Sequence, residues 1–317
     1  MQIETNISGV LPRPQDLIAK TRLLDRGKLT EEEIEPAYIE ATKTVILAQQ
    51  NAKLTQINSG MLKRQDLLRP FSSGIKGCEV GPMARWFNNN TFFKTPLVKD
   101  ELVWKKSVTL DESYIDLLPD TCWKAVLPAP YTLAVLSHNT YYNDLNEVML
   151  AYAEILNQES LELEAHGFNY FQYSDPALVY DTTKPKNVGY IVDALDILTN
   201  GLKTTTCLHT FFGDGTSIIN NADDLAVDDI GIDLYETNLK NTEMEHNKNL
   251  VLGIIDARNS VIENVDNLTA IVKRIHNINK PLSMTISTNC DMDFLTWDRA
   301  EEKMQVLTQV AEKLRGK

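Results

Sequence analysis

The sequence predicts an α/β chain that closes into a single (β/α)8 TIM barrel with a long insertion between its second and third strands. Three observations carry this prediction. Eight short apolar, β-branched runs end abruptly in polar residues, and helical patterns fill most of the gaps between them. No GxGxxG or GKS/T phosphate loop follows the first run, as an open doubly wound sheet would usually show. A length of 317 residues suits one large barrel, so the whole chain, 1–317, reads as one domain.

The first run is 3–8, and the helical stretch "EEEIEPAYIEATKTVILAQQNAK" follows it, acidic at its start and basic at its end as the helix dipole prefers. The second run is 54–58. Residues 60 to about 120 then form the insertion, rich in aromatics and bases ("KRQDLLRPF", "MARWFNNNTFFKTP"), a length typical of a lid, a binding loop or an interface. Its Trp86, Phe87, Phe92 and Phe93 either stack on a planar ligand or simply pack. The third run, 122–127, precedes "NDLNEVMLAYAEILNQESLELEAHG", in which Asn143 or Asp144 is the cap and Gly167 the stop. Runs at 169–173, 204–212, 229–234, 250–255 and 283–287 complete the count. After the last two, "SVIENVDNLTAIVKRIHNINKP" and "TWDRAEEKMQVLTQVAEKLRGK" carry apolar residues at three- and four-residue spacing.

With 31 basic against 44 acidic residues, a net charge of −13, the chain lacks the basic surface on which nucleic-acid binding rests. A small molecule or a protein is the expected partner. No apolar run approaches the roughly 20 residues of a membrane helix, and the start lacks signal-peptide features, so the expected location is cytoplasmic. Four cysteines, at 78, 122, 207 and 290, show no CxxC pair and fit free thiols in a reducing compartment.

In a barrel, chemistry gathers where the strands end. Those ends carry Pro12 and Arg13, Ser59 and Lys63, Pro128 to Tyr131, Gln172 and Asp175, His209 and Asp214, Asp233 and Glu236, Asp256 and Arg258, and Asn289 and Cys290. Asp175, Asp233 and Asp256 are acids able to act as a base or bind a cation. Asp175 and Asp256 are the expected catalytic pair, and Asn58, Gln172 and Ser174 are expected to face substrate. Lys63, Arg64, Arg85 and Arg258 suit an anionic cofactor group, or each is half of a rim salt bridge.

Several segments together resemble the cobalamin-independent methionine synthase family over nearly the whole chain. They are "SGVLPRPQDL", "RWFNNNTFFKTPLV", "VLPAPYTLA", "FQYSDPALV", "LHTFFGDG", "DDIGIDL", "LGIIDARNSVIE" and "STNCDMDFL", in that order. The resemblance implies a barrel whose zinc ion, held by His, Cys, Glu and Cys at strand ends, keeps homocysteine as its thiolate for methylation. It also associates short relatives with a corrinoid methyl donor, and hence with a corrinoid protein or companion subunit as partner.

Carried over residue by residue, the family's His ligand falls on His209 and its last Cys on Cys290. Its other Cys falls on Phe211, which cannot ligate, and its Glu on the shorter Asp233. Cys207, on the same face of the strand as His209, is the available replacement sulfur, about 6.6 Å along the strand, or else it packs one layer deeper. The positions that hold the amino-acid end of homocysteine fall on Val10, Met61 and Ser174, and the first two lack the charge partners an ammonium needs. The "FFGDG" after His209 is similar to the non-catalytic N-terminal half of long relatives. The expected function is therefore zinc-assisted methyl transfer to a thiol. A metal-free partner barrel, or an enzyme with another substrate or metal, is the alternative.

Overall fold

A computed structural model of the chain describes residues 2–110, 115, 117, 122–239 and 247–316. All eight predicted runs form one parallel sheet: β1 (Glu4–Thr5), β2 (Gln56–Ile57), β5 (Cys122–Pro128), β7 (Tyr170–Ser174), β8 (Thr205–Thr210), β9 (Asp229–Asp233), β10 (Asn249–Ile255) and β11 (Met284–Thr288). Neighbours run β1-β11-β10-β9-β8-β7-β5-β2, the order of a barrel opened at the β1/β2 seam. Hydrogen bonds draw that seam together, among them Thr55 N to Thr5 O (3.0 Å), Asn6 Nδ2 to Gln56 Oε1 (2.6 Å) and Leu11 N to Gly60 O (3.1 Å). The result is a nearly closed (β/α)8 barrel.

Helices cover the outside. α1 (Gln15–Asp25) is followed by α2 (Glu31–Asn51), which starts on a capping box: Thr30 accepts from Glu33 N while the Glu33 carboxylate takes Thr30 N. Among the later helices, α5 (Leu145–Ala165) is capped by Asp144, whose carboxylate accepts from Glu147 N. α8 (Val265–Asn279) and α9 (Trp297–Arg315) each end on a residue in the left-handed region, Lys280 and Gly316.

The described part of the insertion contains a short helix α3 (Arg69–Gly74) and an antiparallel ribbon, β3 (Lys76–Arg85) with β4 (Phe92–Val103). β6 (His138–Asn139) adds to β4 in parallel. Glu159 of α5, fully buried, ties the chain after the ribbon to the barrel, accepting from Trp104 Nε1 (3.0 Å), Ser107 Oγ (2.6 Å), Thr109 N (2.8 Å) and the Thr109 hydroxyl. The ribbon tip folds inward, burying Trp86 and Phe87 in an edge-to-face pair (4.8 Å). Phe87 meets Phe212 (6.1 Å), which meets Phe294 (6.3 Å), so an aromatic cap joins the insertion to the loops after β8 and β11. Trp86, Phe87 and Phe93 are thus packing residues, while Phe92 is 44 % exposed under the Arg85 guanidinium.

β8 is shorter than its predicted run of 204–212. It stops at Thr210 because Phe212 adopts φ +70, turning the chain sharply just past the barrel rim.

Candidate functional site at the barrel mouth

β8 carries His209, paired in register with Ser174 on β7 and with Gly231 on β9. Gly231 is needed there: a Cβ at that position would lie 2.7–3.0 Å from the His209 side chain. The imidazole therefore lies flat on bare backbone. Its Nδ1 is 3.1 Å from Ser8 Oγ, and Gln172 Nε2 donates to both Ser8 Oγ (3.2 Å) and Ser174 Oγ (3.0 Å). All four side chains are buried. Ser8 Oγ accepts from Gln172 and shares a second hydrogen bond with His209 Nδ1, whose direction follows the tautomer of the ring. His209 Nε2 is buried and has no hydrogen-bond partner among the described residues. Burial, with Lys124 adding repulsion, lowers its pKa to about 3, so the ring is neutral.

Two residues beyond Gly231, at the end of β9, stands Asp233, fully buried. Its Oδ1 accepts from Tyr235 N (2.9 Å) and Asn289 Nδ2 (3.2 Å). Its Oδ2 has no hydrogen-bond partner, and Nη2 of Arg258 lies 3.6 Å away. Burial raises the Asp233 pKa, opposed by the Tyr235 amide and Arg258. Arg258 also reaches Glu236 Oε1 (2.9 Å) and Asp256 Oδ1 (3.5 Å), and its guanidinium stands over the Phe212 ring (5.8 Å). Cys290, after β11, is buried beside this group; burial raises its thiol, Asp291 and Asp233 add to the rise, and Arg258 lowers it.

The other expected site residues fall in four places. Asp175 is buried with Thr132 Oγ1 donating to Oδ1 (2.5 Å), and burial pushes it up to about 8, a neutral acid at neutral pH. Asp256 caps its own loop, accepting from Arg258 N (3.0 Å) and Asn289 Nδ2 (3.4 Å). Asn58 fastens β2 to its surroundings through Gly60 N (2.7 Å) and Gly9 O (3.4 Å). Cys207 pairs with Asp229 in register and packs with Tyr170 and Val251, a layer below His209. In that layer Tyr170 OH donates to Asp229 (2.6 Å) and Lys124 Nζ donates to Ile7 O (2.8 Å).

Three of the four expected anion-binding cations, Lys63, Arg64 and Arg85, do not meet at the mouth. Lys63 pairs with Glu35 (2.8 Å) and Arg64 donates to the carbonyls of Val126 and Thr109 (3.0 and 3.1 Å). Both line a cleft of about 300 Å³ beside Trp123, whereas Arg85 stays out on the ribbon.

The zinc set implied by the resemblance does not fit these donors. Phe211, fully buried, lies edge-on to the His209 ring (5.7 Å) where a thiolate would be needed. Asp233 turns its Oδ2 towards the Arg258 guanidinium, 3.6 Å away. Among the described residues no three His, Cys, Asp or Glu side chains are grouped to hold a metal ion. Ser8 and Gly231, which set the imidazole, are missed by sequence reasoning, because neither residue type signals a role until the strands are paired.

Among the described residues no helix is long and apolar enough to cross a membrane. Comparison with known proteins places these features in a family. A methionine synthase of Pyrococcus furiosus is 26 % identical over 99 % of this chain and 93 % of its own length. That of Saccharolobus solfataricus is 25 % identical over 95 % and 92 %. The structure of a B12-independent methionine synthase from a Shewanella species superposes with a TM-score of 0.82 at 20 % identity, covering 99 % of this chain and 97 % of that one. A putative vitamin-B12-independent methionine synthase from Listeria monocytogenes gives 0.77 at 14 %, over 99 % of both. The matching family model covers residues 30–280, and its cobalamin independence runs against the corrinoid donor and corrinoid-protein partner expected above. With four-fifths of its length under that model, the chain belongs to the cobalamin-independent synthase family, matching the N-terminal domain.

Proposed function

We propose that this chain transfers a methyl group to a thiol at the C-terminal mouth of its barrel, homocysteine being the thiol that the relatives' name suggests. One observation carries the reading: two buried polar atoms at the same end of adjacent strands, His209 Nε2 and Asp233 Oδ2, have no hydrogen-bond partner among the described residues, the second standing 3.6 Å from Arg258 Nη2.

Each group then has a role. The substrate S–H gives its proton to Asp233 Oδ2, whose burial brings the carboxyl closer to the thiol range and makes it a usable base. The resulting thiolate accepts a hydrogen bond from His209 Nε2–H. The sulfur electron pair forms the new S–CH3 bond while the methyl–donor bond breaks, its electrons leaving with the donor. The aromatic cap of Phe87, Phe212 and Phe294 keeps water out of this exchange. No zinc step is written, because the donor set does not suit the ion.

The test is methionine formation from homocysteine and a methylated folate, read by mass spectrometry. Asp233→Asn is expected to lower turnover about 10²–10⁴-fold, the range for a lost general base. Failure of homocysteine to bind in calorimetry, together with no turnover, refutes the reading. The match to the N-terminal-domain model and the Phe211 substitution favour one rival, a binding barrel serving a catalytic partner. That rival predicts stoichiometric co-purification of the partner and no turnover alone.

A further inference from the structure

We infer that the cation of this mouth is the guanidinium of Arg258, which receives the substrate sulfur as thiolate in the place a metal ion would otherwise occupy. The inference rests on the thiol reading and adds a catalytic residue to it.

Four features of Arg258 support the assignment. Its side chain is 26 % exposed and runs from the rim to within 3.6 Å of the fully buried Asp233. It makes one side-chain hydrogen bond, from Nη1 to Glu236 (2.9 Å), while Asp256 and Asp233 stand at ion-pair distance. A guanidinium offers five N–H donors, more than the Glu236 bond uses. The Phe212 ring beneath it (5.8 Å) holds the plane in place, and Phe212 is fixed in turn by its left-handed backbone and by Phe211 (4.7 Å).

The neighbouring groups suit a sulfur anion better than a metal. A Ser8 hydroxyl that donates to Nδ1 puts the imidazole proton on Nε2, where it serves as a donor to an anion. Phe211 supplies an apolar wall of the kind that accepts sulfur and a methyl group. Arg258 cannot lose its proton, so its charge is present at any working pH. The loop that carries it is braced from behind: fully buried Lys303 donates to Glu263 Oε1 (2.7 Å), and the same oxygen accepts from Asp256 N (2.9 Å).

The experiment uses the full chain. Metal is assayed by mass spectrometry after equilibration with excess zinc and desalting, and the ultraviolet absorbance of the bound thiolate is followed at neutral pH on adding homocysteine. Expected are substoichiometric zinc, thiolate absorbance close to one equivalent in the wild type, loss of that absorbance in Arg258→Met and its retention in Arg258→Lys. Methyl transfer should fall about 10²–10³-fold in Arg258→Met, the usual cost of removing one stabilising donor. Equal thiolate absorbance in Arg258→Met overturns the inference. Stoichiometric zinc that disappears in His209→Ala also overturns it, while leaving thiol transfer standing. No uptake of homocysteine with or without zinc removes the thiol reading and this inference together. The lysine variant separates lost charge from lost packing, and circular dichroism of all variants guards against misfolding.

Discussion

Asp175 offers the sharpest test of the electrostatics. Its carboxyl is enclosed at the end of β7, with the Thr132 hydroxyl as hydrogen-bond donor, and burial lifts its pKa from 3.8 to about 8. A raised carboxyl contributes stability that is fully present below the unfolded value and is lost as pH climbs through the folded one. The window is therefore about pH 4 to 8. Each pH unit within it costs about 1.4 kcal/mol, so the native state should lose on the order of 4 kcal/mol between pH 5 and pH 8 from this group alone. Asparagine has nearly the same shape and cannot ionise. Urea unfolding of the wild type and Asp175→Asn at both pH values isolates the effect, because groups shared by the two proteins cancel. Buried Lys124 is one of these: its pKa is lowered to about 7, so it adds stability as pH rises from there towards 10.5. The Asn variant should be the more stable one at pH 8, by a margin that shrinks towards pH 5. A difference that stays flat across this range would show that Asp175 is already ionised or hydrated in the native state, and the neutral-acid assignment would fall.

Three further outcomes follow from the geometry. Gly231→Ala forces a methyl into the His209 ring, where contacts would be 2.7–3.0 Å; about 1–3 kcal/mol of overpacking should appear in unfolding curves, and a neutral substitution would mean the ring is not seated there. Glu159→Gln exchanges an acceptor-only group for one that is half donor, facing Trp104, Ser107, Val108 and Thr109; a loss of about 3 kcal/mol is expected. Hydrogen exchange should speed up first at residues 104–110, and uniform exchange across the chain would contradict the tether. Phe87→Ala removes the centre of the aromatic cap, costing about 3–5 kcal/mol and exposing His209 to carbethoxylation that the intact protein resists. Equal reactivity in both proteins would show that the cap does not shield the mouth.

The sequence by itself determined the eight strands, the four long helices from α2 to α9 and the place of the insertion, because each is written in the spacing of neighbouring residues. The apolar, β-branched run that becomes β8 is visible without coordinates, and so is the acidic start of α2. It also put His209, Asp233, Arg258 and Cys290 at strand ends, since a barrel places every such end on one rim. Tertiary structure alone decided what those residues touch. Ser8 orients His209 across 201 positions of chain, and Gly231 makes room for it only because β8 and β9 pair in that register. Lys63 and Arg64 read as anion ligands but are engaged by Glu35 and by two carbonyls, while Arg258, with the same charge, is drawn among three carboxylates. Periodicity is a property of consecutive residues, whereas a site is a set of distances between remote ones, and those distances exist only once the barrel has closed.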